Sequence, residues 1–304
     1  MASSFTLSPP LAFFANRAII GAKNDLARIR RFSTNLSPDR AQKGETILVN
    51  KYEISAGTAF HVTDNNYGKV NGEVTPVEVK ITEHYKKTYG LTDRDFLTLE
   101  TGELARCADA AGVSLGMSIQ NVVAAALKTA TGTDGATPAI PAAGLTTRAE
   151  ANAIRKLAID KKIGVRNTNL VLDGIPFTDL ISLFDSSVIG NSSPIQEGRI
   201  DRLQGYNSVE EFQGFAGDGA IVGALVPVDN LVIAGRTIEF VPGQNHGSAE
   251  YGTVTDPESG LVIGIYKFYD YETRTWKITA EALFGAKTVT PEKTILLHQA
   301  ASQP

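Results

Sequence analysis

The segment Gly217-Asp-Gly-Ala-Ile-Val-Gly223 sets glycines in G-x-G-x-x-x-G order, near the fingerprint that seats a dinucleotide pyrophosphate on a helix N-terminus. That chemistry needs a strand before the glycines and a βαβ unit after them. The segment falls late in the chain with neither, so a loop is expected. The four histidines, His61, His84, His246 and His298, are too widely spaced for a helical metal pair. His84 falls on the polar side of a strand pattern. Only His246, in Gly243-Gln-Asn-His-Gly247, keeps a loop imidazole's claim to a ligand role. Asp256 and Glu258 flank Pro257 and serve turn geometry first, although a loop carboxylate can also take a cation. Asp93 and Asp95 are placed to favour a helix start. Cys107, the one cysteine, cannot form an intrachain disulfide and reads as a small buried hydrophobe on an Ala-rich helix. No serine is framed as G-x-S-x-G, and no Ser–His–Asp order is identifiable. The aromatics Tyr266, Phe268, Tyr269, Tyr271 and Trp276 have faces on which bases could stack. Their alternation along strands favours core on one face and contact surface on the other. No catalytic residue, cofactor or metal is therefore expected.

The elements that would position such groups are easier to read. Pro9-Pro10 precede a stripe of Leu11, Phe14, Ala18, Ala22, Leu26 and Ile29 at helical spacing, ending near Phe32. This first stretch is Ser-bearing, Arg-rich and acid-poor, and imitates an organelle transit peptide. Asn16 and Arg17 break its apolar part, and the helix is the better reading. Gly44-Glu-Thr-Ile-Leu-Val-Asn-Lys-Tyr52 is a strand. A polar stretch follows, and then Val77, Val79, Ile81, Tyr85 and Tyr89 alternate with polar residues, which predicts one strand of thirteen residues. The two strands make a long arm. An isolated two-stranded ribbon is marginal in water, and the rest of the chain offers it no obvious surface, so the arm points to assembly.

Thr92-Asp93 looks like a helix cap. Residues 102–130 read as one long helix or two in tandem, with Gly112 and Gly116 marking a kink or a close approach to a sheet. Gly132-Thr-Asp-Gly-Ala-Thr-Pro-Ala-Ile-Pro-Ala-Ala-Gly144 is the best internal boundary. A small α/β unit follows: helix 148–161, strand Asn169-Leu-Val-Leu-Asp173, helix 177–184 and strand 200–207. Residues 227–234 are expected to form a short helix leading out. The chain closes on a meander whose strands run through 261–269, 276–285 and 289–297, turning at Asp270-Tyr-Glu-Thr-Arg274.

The chain has 304 residues, 20% charged and 42% apolar, with a net charge of −4, a globular composition that excludes nucleic-acid binding by overall charge. No stretch reaches the roughly 18 apolar residues of a membrane span. Residues 1–43 hold seven basic groups against two acidic ones, so the remainder is acidic. A basic arm on an acidic body can grip a neighbouring copy or face a polyanion.

The order of basic helix, long β arm, long helix, small α/β unit and closing meander resembles the major capsid proteins of tailed bacteriophages, the Hong Kong ninety-seven fold. The pieces that carry the resemblance are Asn16-Arg-Ala-Ile-Ile, Arg31-Phe-Ser-Thr-Asn-Leu, Lys43-Gly-Glu-Thr-Ile-Leu-Val49, Asn169-Leu-Val-Leu-Asp173, Arg199-Ile-Asp-Arg-Leu-Gln-Gly-Tyr-Asn207, and Thr255-Asp-Pro-Glu-Ser-Gly-Leu261 with Leu283-Phe-Gly-Ala286. The pattern is most similar to the Salmonella podovirus coat branch. The resemblance implies an α+β fold with an N-arm (1–43), an extended loop (44–92), a peripheral domain with a spine helix (93–140 with 235–304) and an axial α/β domain (141–234). It implies a non-enzymatic subunit that self-assembles, as pentamers and hexamers, into an icosahedral shell around phage double-stranded DNA. Its place would be the virion capsid, and the host cytoplasm during assembly. Partners would be further copies, a separate scaffolding protein, a portal protein, the DNA held non-specifically and a decoration protein, with no membrane. Arg28, Arg30, Arg31, Lys69, Tyr85 and Tyr89 are the expected inter-subunit contacts. The Lys–Asn–Glu crosslink of part of the family cannot be placed here. Two other readings stay open: a cellular encapsulating shell around a protein cargo, and a soluble α/β enzyme with an unrecognised site.

Overall fold

The structure is a computed structural model that describes residues 9–36, 46–53, 73–92, 101–135, 139–183, 199–201, 203–215, 220–236, 250–255 and 262–301. The chain begins with helix α1 (Pro9–Phe32), strand β1 (Thr34–Leu36), the arm strands β2 (Thr46–Glu53) and β3 (Glu73–Lys80), and β4 (Glu83–Thr92). The long helix α2 (Thr101–Lys128) and the short β5 (Gly132–Thr133) follow. The middle holds α3 (Arg148–Asp160), β6 (Thr168–Leu172), α4 (Gly174–Leu183), β7 (Arg199–Asp201), β8 (Ser208–Glu211) and β9 (Ile221–Pro227). Strands β10 (Leu231–Arg236), β11 (Glu250–Thr255), β12 (Val262–Asp270), β13 (Thr275–Thr288) and β14 (Ile295–His298) complete it.

Two six-stranded sheets organise these elements. In the first, β13 is the central strand. Residues 275–284 of β13 pair with β4 along one edge. A strand has only two hydrogen-bonding edges, so β12, on residues 275–281, and β10, on residues 283–288, share the other. β11 then flanks β12, and β1 flanks β10. One face of this sheet, with Ile263, Ile265, Ile278, Ala280, Ala282 and Phe284, buries itself against α2. Helix α1 lies along α2, burying Phe14, Ala18, Ala22, Leu26 and Ile29. The two helices touch through glycine. A Cβ at Gly112 would overlap the carbonyl oxygen of Ala18, and one at Gly21 would stand 2.6 Å from that of Asp109. Gly112 therefore marks a close approach of helix to helix, not of helix to sheet.

The second sheet runs β5-β14-β9-β6-β8-β7 and is covered on both faces. Leu170, Leu172, Leu225, Ile295 and Leu297 point to α3 and α4; Val171, Ala224, Val226 and Leu296 join the core beneath α2. Helix α3 opens with a capping box: Thr147 accepts from Glu150 N–H, and the Glu150 carboxylate takes backbone N–H bonds that hold its pKa below the usual range.

Five expectations are corrected. The thirteen-residue strand is two strands, broken at residues 81–82, with β3 in a two-stranded ribbon with β2 and β4 in the main sheet. The alternation survives because Val79 and Ile81 both face inward to the arm's base while Tyr85 and Tyr89 face α1 and α2. That base is not without support: Ile47, Val79 and Ile81 pack on Val232, Ala234 and Val289. Residues 227–234 form no helix. Asp229, at φ 66°, turns the chain from β9 into β10, whose β-branched run pairs with β13. Residues 200–207 hold a three-residue strand and a 3-10 turn, with Gln204 at φ 53°. The last strand of the expected meander, β14, leaves the first sheet and pairs with β9 and β5 in the second. The glycines at 217 and 219, and the Pro257 turn, lie outside the described residues.

Candidate assembly surface

The arm begins where β2 and β3 pair from Thr46–Lys80 to Glu53–Glu73, eight rungs in antiparallel register. Leu48 is 62% exposed on it, a large apolar side chain held in water. Lys69, the expected tip lysine, lies outside the described residues.

Beside the arm's base, the face of the first sheet that turns away from α2 forms a platform. Register places His84, Lys86, Thr88 and Gly90 of β4 beside Lys277, Thr279 and Glu281 of β13, and then Tyr266 and Phe268 of β12. The Thr88 and Thr279 hydroxyls meet at 2.8 Å, and His84 Nε2 lies 3.3 Å from Glu281 Oε2. Tyr266 and Phe268 stack with centroids 5.0 Å apart, and the Lys277 ammonium sits 6.0 Å from the Phe268 ring. Burial raises the Tyr266 hydroxyl pKa, and the Glu281 carboxylate raises it further. The platform is ordered, mixed in polarity and partly dry, the character of a contact face.

Of the other expected contact residues, Arg28, Arg31, Tyr85 and Tyr89 are engaged within the same chain. Arg28 reaches Glu211 at 3.4 Å, and Arg31 reaches the fully buried Glu210 at 3.4 Å. Phe32 closes the same end of α1 edge-on against Phe212. Arg30 is exposed. Tyr85 stacks on Phe284, and Tyr89 meets Phe14 edge-on, both turned to the subunit's own core while remaining partly exposed. Burial lifts the Tyr89 hydroxyl pKa, with Cys107 adding to it. The partners Glu210 and Glu211 were missed in the sequence, since nothing local links β8 to a helix 180 residues earlier.

Among the described residues, no group of three or more histidine, cysteine or carboxylate side chains is placed to hold a metal ion. His298 Nδ1 lies 2.9 Å from Asp134 Oδ1, and the second Asp134 oxygen accepts the backbone N–H groups of His298 and Ala139. That carboxylate clamps β14 to the loop after β5. Cys107 is half-buried against the core. An open cleft of about 520 Å³ at the start of α4 is lined by Asp173, Thr178, Asp179, Glu211 and Gln213. Two of its three carboxylates are engaged structurally, Asp179 with Leu145 N–H and Glu211 with Arg28. His246 lies outside the described residues. One described helix stretch, Leu104–Lys128, is long and apolar enough to cross a membrane, and more than half of it is buried inside the fold.

No protein-family model matches the sequence, and no curated protein matches it. Solved structures do match in fold. A virus-like particle protein from Pyrococcus furiosus aligns with a TM-score of 0.55 at 10% identity, over 94% of this chain and 98% of that one. The mature capsid of bacteriophage PhiM1 gives 0.55 at 10% identity, over 90% and 87%. Mycobacterium phage Che8 gives 0.53 at 13% identity, over 87% and 88%. The α+β architecture of this chain is the phage major capsid fold.

Proposed function

We propose that this chain is a major capsid protein, a non-enzymatic subunit that self-assembles as pentamers and hexamers into an icosahedral shell enclosing phage double-stranded DNA. The observation that carries the reading is the arm: a two-stranded ribbon whose base packs on the body, beside a sheet face that forms a platform of mixed polarity. In the shell, the arm of one copy lies across the platform of the next, and Leu48 finds apolar cover there. Each such contact need supply only a few kcal/mol, because a closed shell multiplies it. Residues 1–43 serve as the N-arm, 44–92 as the extended loop, 93–140 with 235–304 as the peripheral domain and 141–234 as the axial domain. Two strands bridge these divisions: β4 pairs with β13, and β14 with β9. The quoted sequence pieces support a likeness to the Salmonella podovirus branch, and on that reading a separate scaffolding protein and a portal protein are the partners. Negative-stain microscopy of the purified protein, with and without salt and scaffold, is expected to show closed shells. Small discrete particles under every condition would sink the reading.

The fit to the Pyrococcus furiosus particle, over nearly all of both chains, favours a second reading: a cellular shell around a protein cargo. Nuclease-resistant DNA inside purified particles supports the capsid; a packaged protein without DNA supports the cellular shell.

A further inference from the structure

The second sheet has a basic edge. Parallel β6 and β8 begin side by side there, at Asn169 and Ser208. Two 3-10 turns, Val165–Asn167 and Leu203–Gly205, lead into these strands, and α3 ends beside the first. The edge gathers five exposed cations, Arg155, Lys156, Lys161, Lys162 and Arg166, within a short run of sequence. Lys161 and Lys162 donate their backbone N–H groups to the carbonyls of Leu157 and Ile159, so the chain folds back on the last turn of α3, with Lys162 at φ 57°. Arg155 reaches the second 3-10 turn: a Cβ at Gly205 would stand 3.9 Å from its Nη2 and 4.0 Å from Val165 Cγ1.

Among the described residues, none of the five makes an ion pair. Asp160, one turn beyond Lys156, is the one acid between Arg155 and Arg166. Two more acids stand nearby, and both are engaged. Glu150 closes the cap of α3, and Asp229, in the turn whose Val228 N–H bonds to Asn167, accepts from the Thr34 hydroxyl at 2.8 Å. The dipole at a helix C-terminus favours cations in and just past its last turn. That accounts for Lys161 and Lys162, but not for Arg155, more than a turn earlier, or Arg166 beyond.

We propose that this basic edge binds the phosphate backbone of a nucleic-acid duplex. The five cations meet phosphates, and the exposed amides of Asn152 and Asn167 add donors of the kind that phosphate oxygens take. Single strands are held on exposed aromatic rings, and the one aromatic at this edge, Tyr206, is 1% exposed. An acidic protein helix needs an apolar seam, and the edge offers only two exposed large apolar side chains, Ile159 and Val228, from separate elements. In the proposed capsid this is where the enclosed duplex is met, and to that extent the assignment rests on that reading.

The test uses the purified, unassembled full chain in fluorescence anisotropy. The probes are a DNA duplex and an RNA duplex of about 20 base pairs, a thymidine single strand of the same length, and a polyglutamate peptide. Both duplexes are expected to bind in the micromolar range, with log K falling against log salt at a slope of about −3 to −4. The single strand and the peptide are expected to bind at least about tenfold more weakly. Lys161→Gln with Lys162→Gln is expected to reduce the slope by about two. Arg274→Gln with Lys293→Gln removes the same charge from exposed positions elsewhere and is expected to leave it unchanged. A tighter DNA duplex names DNA as the source of the phosphates, and a tighter RNA duplex names RNA. The proposal is overturned if the peptide or the single strand binds as tightly as the duplexes, or if the two double variants act alike. Because binding is read on the unassembled subunit, failure to form shells leaves this result intact.

Discussion

Gly112 shows how one missing methyl group sets the distance between two helices. A Cβ there would overlap the backbone of Ala18, which no side-chain rotation can relieve. Gly112→Ala is expected to cost about 2–4 kcal/mol in urea unfolding of the subunit. Gly164, with nothing within 4 Å of its virtual Cβ and an ordinary φ of −67°, is the control. Its alanine variant should be neutral or gain up to about 1 kcal/mol. Asp270, in the β12–β13 turn, gives a pH signature. Its hydrogen bond from the Lys277 ammonium, and then that from the Thr273 hydroxyl, holds its pKa down at about 2 from an ordinary 3.8. A depressed carboxylate contributes to the native turn above its ordinary pKa, and that contribution is lost as pH falls from there through about 2. Carboxyl NMR should show Asp270 titrating near 2, and Lys277→Met should move the titration back toward 3.8. The sequence showed the turn through Asp270-Tyr-Glu-Thr-Arg. It did not show the lysine, because that pairing exists only once β13 returns beside β12.

Helix α1 joins the two sheets. It packs on α2 above the first sheet, and its C-terminal arginines reach β8 of the second. Glu210 is fully buried, so removing the Arg31 cation leaves its charge less compensated. Arg31→Leu is expected to cost about 3–5 kcal/mol, and Arg31→Leu combined with Glu210→Leu to recover most of it, measured as a double-mutant cycle in denaturant. Arg17→Ala, where both partners are more than a third exposed, should cost no more than about 1 kcal/mol. The arm admits a sharper test now that its base is known. Replacing residues 51–75 with an Asn-Gly turn joins Asn50 to Pro76, paired neighbours across the ribbon, and spares Ile47, Val79 and β4. That variant should stay soluble and folded yet form no shells in the microscope; normal shells would remove the arm from the mechanism. Elements with one long amphipathic period, α1 and α2, were legible to within a residue or two. Where a period-two pattern crosses from ribbon to sheet at residues 81–82, alternation continues unbroken and hides the break. In 227–234, a proline and an Asp-Asn pair imitate a helix start, and only the partner strand β13 decides otherwise.

At the scale of the whole molecule, the likeness lies in the fold, and identities of 10–13% leave the surface chemistry to this chain. The platform and the ion pairs of Arg28 and Arg31 are built from side chains whose partners stand far away in sequence. The order of elements was therefore readable in advance, and the contacts were not. The position of β13 and β14 has one more consequence, for synthesis. β13 is the strand on which β4, β10 and β12 all close, and β14 sits inside the second sheet between β5 and β9. A ribosome adds about 5–20 residues per second, so β4 waits on the order of 10–40 seconds for its partner β13 to be made. The first sheet lacks its central strand until β13 is made, and the second lacks an internal strand until β14 is made, so a chain stopped after Thr288 should remain open to protease at the second sheet while the chain that carries β14 resists it. Synthesis itself would then act as a checkpoint, keeping the two sheets open until β13 and β14 have been made.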